Sequence, residues 1–150
     1  MSDFPQRGHC LCGEVRFEIG GEPKWVAHCH CESCRRATSA AFATYAGYAH
    51  TAVTWSGAPR SEYVSSLGVV RSFCPQCGSP MSFQSERWPG EIHLFAASFD
   101  HPHALRPEFH EHADEKLDWV HLADGLPWRT KDGDDPAADL KSAAERRERP

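Results

Sequence analysis

Seven cysteines fall in three tight groups, and no other feature of this 150-residue sequence restricts its folding as strongly. The groups are Cys10 and Cys12 in CLC, Cys29, Cys31 and Cys34 in CHCESC, and Cys74 and Cys77 in CPQC. An odd count leaves at least one thiol outside any disulfide set, and inert buried thiols have no reason to cluster. Grouped thiols at these spacings point to metal ligation. FCPQCGS has the form of a zinc knuckle, in which Pro75 fixes part of the turn and Gly78 lets the backbone curl toward the sulfurs. CLCGE repeats the idea with Gly13. Two knuckles make a closed four-thiolate site that pins distant loops together, as a structural tetrahedral zinc does.

Cys29, Cys31 and Cys34 remain. Zinc–sulfur bonds of about 2.3 Å place tetrahedral sulfurs about 3.8 Å apart, and one curled loop entering a short helix brings three thiols that close. The fourth position then goes to water or substrate, which is the ligand count of a catalytic zinc. Spacing alone leaves other arrangements open. CESC can pair with CPQC as a zinc ribbon, stranding Cys10, Cys12 and Cys29. His28 or His30 can close the trio into a four-ligand site, although a strand-like stretch turns both away from Cys29. A mononuclear iron also suits such ligands.

Around these groups the chain reads as β structure. EVRFEI places Val15, Phe17 and Ile19 on one strand face. AVTWSG and APRSEYVSS read as strand, turn at Gly57-Ala58-Pro59 and strand, while VVRSF enters the last cysteine pair and PMSFQS leaves it. EIHLFAASF is apolar on both faces and reads as a buried strand. Only Glu32–Ala40, ESCRRATSA, has short-helix character. The expected organisation is one zinc-binding domain over 1–130 and a charged, flexible tail over 131–150 with Leu140 as its one large apolar residue.

The formal net charge of −5 and the lack of a basic arm argue against nucleic-acid partners. No apolar run is long enough to span a membrane, and MSDFPQRGH lacks the apolar core of a signal peptide, so a cytoplasmic protein is expected.

The order GHCLCGEVRF, HCHCESCRR…AAF, RSFCPQCGSP, FAASFD and the later EFHEHADEKLDWVHLADGLP resembles the glutathione-dependent formaldehyde-activating enzyme family, whose wider domain group includes centromere protein V. The likeness runs from about Gly8 to Pro127. It implies a mostly β fold of the Mss4-like, or β-tent, type. It also implies a structural zinc on Cys10, Cys12, Cys74 and Cys77 and a catalytic zinc on Cys29, Cys31 and Cys34. One departure stands out, since Ser39 occupies a position where such families usually carry glycine. The implied reaction joins a thiol such as glutathione to an aldehyde such as formaldehyde, giving an S-hydroxymethyl adduct; it is a carbon–sulfur lyase reaction run in reverse. The competing reading is a non-catalytic zinc module that recruits a protein partner, but such a module has no need of three extra thiols.

Other polar residues carry weaker expectations. Arg35 and Arg36 are placed to hold a substrate carboxylate or to be plain solvated cations. His101, His103, His110, His112 and His121 read as surface or wall residues, with HEH able to set two rings on one strand face, and one of them is available as a proton relay. Trp119 and Trp128 read as core or pocket wall.

Overall fold

Val15, Phe17 and Ile19 alternate with charged residues, and this pattern sets a strand whose buried face becomes one half of the core. The structure is a computed structural model and describes residues 6–130. The expected tail over 131–150 lies outside the described residues.

In chain order the strands are β1 (Gln6–His9), β2 (Val15–Ile19), β3 (Trp25–Cys29), β4 (Ala43–Ala49), β5 (Val53–Gly57), β6 (Ser61–Ser66), β7 (Val69–Phe73), β8 (Pro80–Ser85), β9 (Glu91–Phe95) and β10 (Phe109–Glu111). The helix α1 covers Glu32–Thr38. Two sheets result, a three-stranded β1-β2-β5 and a seven-stranded β10-β3-β4-β9-β8-β7-β6. All pairings are antiparallel except β10 with β3. This is the mostly β architecture that the resemblance implies. The strand, turn and strand expected around Gly57 are β5 and β6, which follow each other without pairing. β5 joins β2, while β6 becomes the far edge of the other sheet.

Register divides the large sheet into two faces. Val26 opposes Ala46, Ala46 opposes Leu94, and Tyr48 opposes Ile92. These side chains pack with Val15, Phe17, Ile19 and Phe99 in the main core, beneath the small sheet. The alternate positions face the other way. Ala27 opposes Tyr45, Arg71 opposes Phe83, Phe83 opposes His93, and Phe109 opposes Ala27. Gly47 opposes both Trp25 and His93, and a Cβ there would strike the Trp25 indole, with its Nε1 only 2.5 Å away. The strand glycine therefore makes room for an aromatic wall. This second face stays uncovered by the small sheet, so it is free to carry a site.

Helix α1 begins with Cys31 as its N-cap, whose sulfur accepts the Cys34 N–H at 3.3 Å. It ends at Ser39, which adopts a left-handed conformation with φ 55° and ψ 29°. Glycine is the residue best suited to that C-terminal position, so the departure at Ser39 carries a backbone cost. Ser39→Gly is expected to raise the unfolding free energy by about 0.5–1 kcal/mol in urea titrations. An unchanged or lower midpoint would contradict that strain.

Candidate metal and substrate site

The two knuckles lie at equivalent places in the two sheets, between β1 and β2 and between β7 and β8. Gly13 and Gly78 take φ of 80° and 77°, and their N–H groups reach back to the Cys10 and Cys74 carbonyls at 3.0 and 2.8 Å. The four sulfur atoms of Cys10, Cys12, Cys74 and Cys77 all lie within 4.8 Å of one another. Cys10 to Cys12 is 3.6 Å and Cys12 to Cys74 is 3.8 Å. Those separations fit the edges of about 3.8 Å that a zinc–thiolate tetrahedron needs. Ser79 stitches the turns, accepting the Leu11 N–H at 3.0 Å and meeting the Cys77 sulfur at 3.2 Å. Its hydroxyl and N–H push the Cys77 thiol down to about 5, toward the thiolate a metal requires. This cluster can hold one metal ion.

The second group forms where β3 runs into α1. Cys29 ends the strand, while Cys31 and Cys34 are buried at the start of the helix. The neighbouring Cys29 and Cys31 thiols, with the Arg71 charge and the Tyr45 hydroxyl, hold the Cys34 thiol well below the usual thiol range despite burial. Tyr45 Oη donates to the Cys34 sulfur at 3.3 Å, and Arg71 Nη2 donates to it at 3.8 Å. Arg71 Nη1 also donates to Tyr45 Oη at 3.3 Å. The neighbouring Cys31 and Cys34 thiols, together with burial, push the Cys29 thiol well above its ordinary value. Local groups thus favour the thiolate at Cys34 alone, and ionising Cys29 and Cys31 as well would call for a cation among them.

Neither His28 nor His30 joins the sulfurs. His28 Nδ1 lies 2.7 Å from Thr44 Oγ1, and His30 Nε2 lies 2.9 Å from His110 Nδ1. Asp124 Oδ2 accepts from His110 Nε2 at 2.8 Å, so His110 Nδ1 is the acceptor and His30 Nε2 the donor. Trp128 stacks on His110 at 3.7 Å between centroids. His110 is therefore a buried member of a packed aromatic and imidazole cluster behind Cys29. Burial and the nearby His110 push His30 down to about 4, keeping it neutral.

His112 is the imidazole that reaches Cys29 and Cys31, and Cys34 lies outside that close group. One of its ring nitrogens and the sulfurs of Cys29 and Cys31 all lie within 4.8 Å of one another. HEH does not place two equivalent rings on one face, because the strand ends at Glu111 and His112 turns left-handed.

Above the trio, on the free sheet face, opens a cavity of about 750 Å³. Its walls include Trp25, Tyr45, Phe83, Trp88, His93 and Phe109, and its cations are Arg71 and Arg87. Arg35 and Arg36 do not line it. Arg35 Nε donates to the His30 carbonyl at 3.2 Å, and Arg36 pairs with Glu32 at 3.1 Å on the surface. Trp119 is 65% exposed and belongs to neither core nor wall. Tyr45 and Arg71 escaped sequence reasoning, with a lone arginine amid the strand VVRSF as the one visible signal; His112 was read as a wall residue and does line the cavity, but its approach to Cys29 and Cys31 was not foreseen.

The wall contains a titrating element. Trp25 Nε1 and His93 Nε2 both donate to Glu91 Oε1, at 2.9 and 3.0 Å. Burial lowers the His93 pKa below its ordinary value, although Glu91 opposes the shift. Below about pH 6.5 the unfolded chain then binds more protons than the folded one, so stability is full above that pH and falls beneath it. The melting temperature is expected to drop between pH 7 and pH 5. His93→Gln keeps a donor for Glu91 and should flatten that drop; an identical profile would exclude His93 as a contributor.

Among the described residues, no helix is long and apolar enough to cross a membrane. Residues 5–115 match the family model described as glutathione-dependent formaldehyde-activating enzyme. A protein of Schizosaccharomyces pombe described as an uncharacterized lyase is 34% identical over 77 residues, or 51% of this chain and 55% of that one. The chain thus spans about half the length of the curated relative it matches. The crystal structure of a Rhodobacter sphaeroides protein shares the fold, with a TM-score of 0.54 and 21% identity over 81% of this chain and 98% of that one. With the family match spanning most of the sequence, the chain belongs to the glutathione-dependent formaldehyde-activating enzyme family.

Proposed function

We propose that the chain is a zinc-dependent carbon–sulfur lyase that reversibly joins a glutathione-like thiol to a formaldehyde-like aldehyde, giving an S-hydroxymethyl adduct. The observation that carries this reading is the meeting of the Cys29, Cys31 and Cys34 thiols at one cavity. Cys10, Cys12, Cys74 and Cys77 then hold a structural zinc, and Cys29, Cys31 and Cys34 hold the catalytic one. The family match and the lyase description of the yeast relative support the same reading.

A bound zinc supplies the charge that keeps a substrate thiol deprotonated at neutral pH beside the three cysteines. A free thiol with a pKa of about 8.5 is only ~3% thiolate at pH 7, so full ionisation is worth up to about thirty-fold in rate, roughly 2 kcal/mol. Soft sulfur ligands favour gripping a thiol over hydroxide chemistry. The rest falls to the chain's own groups. Arg71 and Tyr45 hold Cys34 as its thiolate. Trp25, Phe83 and Phe109 exclude water around the substrate body, and Arg87 offers a cation to a carboxylate of the thiol. The substrate sulfur attacks the aldehyde carbon. A carbon–sulfur bond forms as the carbonyl π bond opens, and the proton given up by the thiol ends on the new hydroxyl oxygen.

The rival reading, a zinc module that only recruits a protein, leaves this cavity without a role. A reducing cytoplasm, which keeps seven thiols free and supplies glutathione, suits the proposed chemistry. Metal analysis and an adduct assay test it together. Wild type should carry two zinc ions per chain, and Cys31→Ser should carry one and lose adduct formation. A Cys31→Ser protein that kept both ions and full activity would end this reading.

A further inference from the structure

His112 occupies a position that a wall residue does not need. Beyond Glu111, continued strand geometry would turn residue 112 to the His110 side, away from Cys29. The backbone instead adopts φ 58° and ψ 48° at a non-glycine residue, and the ring joins Cys29 and Cys31 at the cavity. A left-handed histidine costs about 1 kcal/mol or more, so something must hold it there.

Glu115 does part of the holding. Its Oε2 accepts from His112 Nδ1 at 3.2 Å, and its Oε1 accepts the Glu32 N–H at 3.2 Å, directly after Cys31. The two side chains are only 14% and 8% exposed. One carboxylate thereby ties the imidazole to the cysteine loop, accepting from the proton-bearing Nδ1. A carboxylate behind an imidazole in this way is the usual outer support of a metal-binding histidine.

We propose that His112 joins Cys29 and Cys31 as a protein ligand of the metal at this loop in the substrate-free protein, and that the substrate thiol takes its place. This rests on the trio holding a metal, as proposed above. Added thiolates soon exceed the charge of a divalent ion, whereas an imidazole beside Cys29 and Cys31 supplies a ligand without adding negative charge. Because His112 also lines the cavity, an entering thiol competes with it for the same position. A ligand as good as a thiolate is needed to displace His112 from this position.

The test uses the full chain loaded first with zinc and then with cobalt. His112→Asn suits the left-handed backbone, so it should fold at least as well as wild type. Chelator competition should show the affinity of the second zinc falling by about tenfold or more, with the four-thiol site unchanged. The cobalt spectrum of the variant should differ from wild type, and added imidazole should restore it in His112→Ala. Glutathione should convert wild type and variant to the same spectrum. Equal zinc affinity and an unchanged cobalt spectrum in His112→Asn, with two ions bound to wild type, would overturn this inference and leave the trio intact. A wild-type protein that binds one ion alone would instead refute the catalytic-zinc reading on which it rests.

Discussion

Four sulfurs, two from a turn in each sheet, converge at the place where the sheets are joined, and the rest of the molecule is organised around that junction. Cys10 and Cys74 are buried with Val15, Phe17, Met81 and Leu94, so the thiol cluster is continuous with the main core. With the small sheet fixed over one face of the large one, that face is committed to packing. The opposite face keeps the same register but lacks a covering sheet, and its aromatic side chains form a cavity. A metal at the four thiols would strengthen this division, since binding energy at such a site is folding energy.

The cavity's chemistry follows from crowding three thiols in one buried loop. Ionising them without a cation is unfavourable, and the chain answers in part with Arg71 and the hydroxyl of Tyr45, both aimed at Cys34. Arg71 is itself constrained, with its guanidinium 4.9 Å from the Phe83 ring centroid. A remaining deficit of positive charge at Cys29 and Cys31 is what a divalent metal would fill. Behind them, the Asp124–His110–His30 chain stacks on Trp128 and packs against the cysteine loop from the side away from the cavity. The loop is thus fixed on both sides, which suits a site that must accept and release a ligand without losing its shape.

Much of this was legible in the sequence because the signals are local. Cysteine spacing and the following glycines identified the knuckles, alternation identified β2, and the position of Ser39 after a short helical run coincides with its left-handed stop. What sequence missed depends on register between distant strands. Arg71 reaches Cys34 only because β7, β8, β9 and β4 align Arg71, Phe83, His93, Gly47 and Tyr45 on one face. His112 reaches Cys29 through a parallel pairing of β10 with β3 and one left-handed residue, which periodicity does not encode. Arg35 and Arg36 misled for the converse reason: nearness in sequence to Cys34 says nothing about which side of a helix faces the cavity.

The central claim is that Cys29, Cys31 and Cys34 hold a zinc whose remaining position receives the substrate thiol. X-ray absorption at the zinc edge tests it most directly, with the four-thiol site as an internal constant. Adding glutathione to the two-zinc protein should raise the mean sulfur count per zinc, as the second ion gains a sulfur and loses a lighter donor. A sulfur count that stays fixed under saturating glutathione would contradict the account.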